Sequence, residues 1–147
     1  MKPKEKYFKN REKLLNYVEQ SKSPELKKFV DTLLMLERCN ENRPKAKLSI
    51  SIGKAEFENG KLIKFYSNLG SQTDDPTVFI DSYKNEPIIE IEDGFYRDDN
   101  IVVINLTDIT DLQIIKHTSS ETATYLFCTL HSAHNNLDYM IYLKVEK

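Results

Sequence analysis

Apolar positions recur near the 3.6-residue period at Tyr7, Leu14, Leu15 and Val18, with Lys and Glu between them, which predicts a helix over residues 4–21. Ser23 stands where an N-cap belongs. Pro24 follows at the first helical position, where its missing N–H costs nothing, and Glu25 sits beside the positive end of the helix dipole. Leu26, Phe29, Val30, Leu33, Leu34 and Leu36 then carry a second helix over residues 24–39, with an apolar stripe wide enough to meet both a helix and a sheet. The short connection makes the pair an antiparallel helical hairpin. Asn40-Glu41-Asn42-Arg43-Pro44 ends this arm, because Pro44 biases Arg43 away from helical geometry.

From Lys47 the period becomes two. Leu48, Ile50 and Ile52 share one face, and past Gly53 the apolar parity moves to Ala55 and Phe57, which predicts a bulge at the glycine. Asn59-Gly60 is a hairpin turn signal, since a type I′ turn needs positive φ at both central residues. Residues 61–68 are the returning strand, and Leu69 to Pro76 reads as a loop. Residues 77–83, 88–91, 101–104 and 111–115 are further strand-like runs. The last two strands alternate most clearly, Leu126, Cys128 and Leu130 on one and Tyr139, Ile141, Leu143 and Val145 on the other. They pair as a hairpin across residues 131–137, central in the sheet or covered on one face by the second helix. The expected fold class is α+β: an N-terminal helical hairpin packed on a mainly antiparallel sheet or partly open barrel of seven or eight short strands. The stretch Ile101 to Ile115, with Asp108-Ile109 between two strands, resembles the strand corners of pleckstrin-homology-like and Sm-like barrels. That resemblance covers some fifteen residues and implies a corner, not an activity.

At 147 residues the chain fits a single domain, with residues 1–44 as the helical arm and 45–147 as the β region. Its 39% apolar and 30% charged residues belong to a globular protein. No run approaches the ~20 apolar residues of a membrane span, and no apolar segment follows the basic start, so a cytoplasmic protein is expected. In a reducing compartment Cys39 and Cys128 are expected as two buried thiols rather than a disulfide. The abundance of lysine and isoleucine fits an AT-rich genome, as in low-GC bacteria and their phages.

Charge changes the picture most. Residues 1–47 hold 13 Lys and Arg against 7 Asp and Glu, whereas residues 48–147 hold 8 against 16. Residues 74–111 concentrate 11 acids with only Lys84 and Arg97 among them. Clustered carboxylates repel one another, and they speed encounter with an opposite field. The expected function is therefore a non-enzymatic protein-interaction module, a small inhibitor, immunity or adaptor protein. Its acidic surface would comprise Asp74, Asp75, Glu90, Glu92, Asp93, Asp98 and Asp99, with Phe95 and Tyr96 as aromatic anchors. A basic protein partner is implied, and a nucleic-acid-binding enzyme is the natural class of target. No cofactor is expected.

Two alternatives stand beside it. A metal-dependent or histidine-based hydrolase would use His117, His131 and His134, and Cys128, His131 and His134 are weak candidates as metal ligands. His117-Thr118-Ser119 resembles one half of the two-histidine phosphoesterase motif, but His131-Ser132-Ala133 lacks the hydroxyl a second half needs. Parity also sets Cys128 and His131 on opposite faces of one strand. A nucleic-acid-binding regulator would use Lys2, Lys4, Lys6, Lys9, Arg11 and Lys13. Those cations spread round the helix and are interrupted by Glu5 and Glu12, so direct nucleic-acid binding by the protein is not expected.

Overall fold

The computed structural model describes residues 3–40, 42–94 and 99–147. Two N-terminal helices, α1 (Pro3–Ser21) and α2 (Pro24–Leu34), precede eight strands. These are β1 (Ala46–Glu58), β2 (Lys61–Thr73), β3 (Pro76–Tyr83), β4 (Glu86–Asp93), β5 (Asp99–Asn105), β6 (Ile109–Ser119), β7 (Ala123–Ser132) and β8 (Leu137–Glu146). The architecture is α+β, and its antiparallel sheets do not close into a barrel. No helix among the described residues is long and apolar enough to cross a membrane.

The chain divides into two compact units, each built from two separate segments. The first combines residues 1–43 with 76–107, and holds both helices and the three-stranded sheet β3-β4-β5. Ser23 caps α2 as its sequence demands, its Oγ accepting from the Leu26 N–H at 3.1 Å with Pro24 behind it. The helix stops at Leu34, short of the expected residue 39. Residues 36–38 leave it to line the edge of β3: the Val78 N–H donates to the Leu36 carbonyl at 2.9 Å and the Arg38 N–H to the Val78 carbonyl at 2.8 Å. The Leu36 and Glu37 N–H groups still donate back to the Leu33 and Leu34 carbonyls, while sheet pairing takes over at the Leu36 carbonyl and the Arg38 N–H, and the apolar Leu36 is buried. Leu14, Val18, Leu26, Phe29, Val30 and Leu33 are buried on the helices, and Val78, Ile80, Ile89, Ile91, Val102 and Ile104 on one face of the sheet.

The second unit, residues 44–75 and 108–147, is a five-stranded antiparallel sheet in the order β2-β1-β8-β7-β6. The β7–β8 hairpin is central, as its two-sided apolar pattern implies. Asn59 (φ 52°) and Gly60 (φ 79°) make the turn between β1 and β2. The register shifts between Ile52 and Gly53, the expected bulge, and the glycine is obligatory there: a Cβ at Gly53 would collide with the Tyr66 carbonyl on β2. Leu69 to Thr73 is not a loop but the continuation of β2, paired from Leu69 opposite Ile52 to Thr73 opposite Leu48. Its polar sequence misleads because β2 is an edge strand exposed along nearly all its length.

Candidate functional site

The register of β3 and β4 decides which expected docking residues meet. Glu90 lies opposite Phe79 and Glu92 opposite Thr77, so both carboxylates project from the sheet face that also carries Asp81, Tyr83, Ile88 and, on β5, Val103. Tyr83 is 64% exposed and Val103 48% exposed. The half-buried Glu90 carboxyl is pushed above the usual carboxylate range, first by burial and then by the charges of Asp81 and Glu92. Glu92 is buried and forms an ion pair with Arg38 at 3.5 Å, while the same guanidinium lies 5.9 Å from the Phe79 ring centre. It is therefore a neutralised structural carboxylate rather than an open docking group.

Asp93 is exposed at the end of β4, and the register sets it opposite Asp99 on β5. Phe95, Tyr96 and Asp98 lie outside the described residues, as does the side chain of Asp99. Asp74 and Asp75 are exposed and belong to the second unit, in the turn that leaves β2. The acidic stretch that is continuous in sequence is thus shared between two units.

The histidines do not converge. His131 and Cys128 take opposite faces of β7: Cys128 is fully buried opposite Ile141, with its thiol pushed up to about 12 by burial. His131 faces Asp138 across the hairpin, Nδ1 to Oδ1 at 2.6 Å, and Asp111 lies opposite it on β6. His117 is opposite Leu126, five residues along β7 and about 17 Å from the His131 row. His134 is exposed in the β7–β8 turn. Among the described residues no three His, Cys, Asp or Glu side chains gather as a metal would require.

One cluster in the first unit escapes sequence reasoning altogether. Glu37 is only 5% exposed, yet it accepts from the Tyr7 hydroxyl at 2.7 Å and from Arg11 Nε and Nη2 at 3.1 and 3.0 Å. Burial and the Glu37 carboxylate together hold the Tyr7 phenol far above its ordinary range, so it stays protonated and donates. The Tyr7 ring also packs 5.7 Å from Phe79. Cys39 is exposed rather than buried, its Sγ 3.5 Å from Glu37 Oε2, and both cysteines are free thiols. Tyr7, Arg11 and Glu37 all lie in the helical arm, so the charge contrast between the arm and the later strands gives no hint of their meeting.

Comparison with protein-family models, with curated proteins and with solved structures finds no match for this chain.

Proposed function

We propose that the protein is a non-enzymatic interaction module of the cytoplasm, an inhibitor, immunity or adaptor protein, that docks on a basic protein partner. The docking face is the side of the three-stranded sheet bearing Asp81, Glu90, Tyr83 and Val103, with Asp93 exposed at the end of β4 beyond it. The observation that carries this reading is the environment of Glu90, a half-buried carboxylate with Asp81 beside it on a face that also exposes the apolar side chains of Tyr83 and Val103. A lysine or arginine of a partner would relieve the repulsion at Glu90 while Tyr83 and Val103 supply contact area. Acidic charge on such a face accelerates encounter with a cationic partner and weakens as salt rises. A nucleic-acid-binding enzyme offers the right field.

Affinity capture of the tagged protein at low and moderate salt, read by mass spectrometry, tests this. The wild type should retain a stoichiometric basic protein at low salt, and Asp81→Lys with Glu90→Lys should release it. Retention of the same partner by the double variant, with the same salt dependence, would defeat the proposal. Asp98→Lys with Asp99→Lys asks the same question of the hairpin end.

A further inference from the structure

Two rows of the polar face of the five-stranded sheet in the second unit gather lysines and aromatic rings. Register places Lys47, Lys144 and Tyr125 in one cross-strand row, and Tyr142, Phe127 and Lys116 in the next. All six therefore share one side of β1, β8, β7 and β6, the side away from the buried Cys128, Ile141 and Leu143. The bulge between Ile114 and Lys116 is what turns Lys116 to this side. The Lys116 and Lys144 ammonium groups each lie 5.7 Å from the centre of the Tyr125 ring. Tyr125 thus serves as a post that gathers two cations. Tyr142 is 40% exposed and tilts against Phe127, ring centres 6.2 Å apart.

We infer that this face binds single-stranded nucleic acid. Its two rows contain three lysines and no carboxylate; on the same side Glu146 pairs with Lys144 at 4.0 Å in the adjoining row, and Asp138 and Asp111 lie two rows away beside His131. From Lys47 on β1 to Lys116 on β6 is three inter-strand steps, about 14 Å, enough for a phosphate backbone to cross the sheet over several nucleotides. Tyr142 offers the open ring on which a base stacks, and Phe127 supports it from the side. Lysines alone would take any polyanion, and the exposed Tyr142 ring in the second row selects one with unpaired bases. The lysines belong to strands and not to the basic helical arm, so this site is independent of the acidic docking face.

The test is fluorescence anisotropy of a labelled deoxythymidine oligomer of about 12 nucleotides with the full chain. With three phosphates neutralised, affinity should fall about 20-fold between 50 and 200 mM salt. Lys116→Ala with Lys144→Ala should flatten that dependence to about a third of its slope. Tyr142→Leu keeps the apolar area and loses the ring, and should weaken binding by at least about 5-fold, whereas Tyr142→Phe should not. Circular dichroism and thermal melts matching the wild type keep these variants interpretable. No binding at 50 mM salt, equal binding of a duplex of the same length, displacement by polyglutamate as readily as by unlabelled oligomer, or indifference to Tyr142→Leu would each overturn the inference.

Discussion

The two units carry nearly the same charges and use them differently. The first holds 13 Lys and Arg against 14 Asp and Glu, the second 8 against 9. In the first, charge is taken inside: Glu37 and Glu92 are both buried and are neutralised by Arg11 and Arg38 of the helical segment. In the second, the pairs His131–Asp138 and Lys144–Glu146 are partly exposed, and the buried face of the sheet is almost wholly apolar. The first unit therefore depends on electrostatic closure and the second on sheet geometry. Of the seven acids in residues 76–107, Glu92 is answered by Arg38, which sets it apart from Asp81 and Glu90 on the same sheet face.

Each unit has its own weak point, and the two should fail in different ways. The largest effect is expected from Gly53→Ala, which drives a Cβ into the Tyr66 carbonyl and forces the β1–β2 bulge to move, at a cost of about 3 kcal/mol. Hydrogen exchange should show the loss confined to β1 and β2, with α1 protected as before. Arg11→Ala comes next. It strips the buried Glu37 of its cation and leaves Tyr7 and Cys39 beside it among the described residues; because Arg11 is itself partly exposed, the cost is about 2 kcal/mol rather than that of a fully buried pair. Adding Glu37→Gln should restore part of the lost thermal stability. If Arg11→Ala unfolds the second unit first, the contrast between the units is wrong.

The smallest effect is at Glu90. Its carboxyl holds a proton more tightly in the folded state than in the unfolded chain, so its contribution favours the fold below the unfolded carboxylate range. That contribution is lost as pH rises through the folded value. Glu90→Gln should therefore stabilise the protein at neutral pH by less than about 1 kcal/mol, discounted for solvent screening, and the gain should vanish near pH 4. A melting comparison across that range checks it. A variant less stable than wild type at pH 7 would mean that Glu90 already has a favourable partner.

What the sequence reveals and what it hides follow the same division. Ser23-Pro24, Asn59-Gly60 and the Gly53 parity change each encode a local backbone requirement, and each is met where expected. The alternation of β7 and β8 is equally local, and it identifies the centre of the larger sheet. Two boundaries fail because a distant partner overrides local preference: residues 36–38 pair with Val78, and Leu69 to Thr73 pair with β1 despite a loop-like composition. The candidate site was half legible. Glu90 and Glu92 stand in the sequence as one acidic run, but the pairing that ties Glu92 down comes from Arg38, 54 residues away. Nothing in the spacing of His117, His131 and His134 says that they diverge until β6 and β7 are in register.

The order in which the strands occur along the chain bears on how the protein is made. The first unit has all its parts once residue 107 has been synthesised, whereas β1 pairs with β8, whose residues 137–146 come some 80 positions after β1 ends. During translation the β1–β2 hairpin must wait with one edge open while β3, β4 and β5 of the first unit are laid down between the two segments of the second. At synthesis rates of about 5–20 residues per second that wait lasts several seconds. Chaperone capture or premature pairing with another nascent chain would strike the β1 edge in that interval, and a stop codon before β8 would leave it open for good.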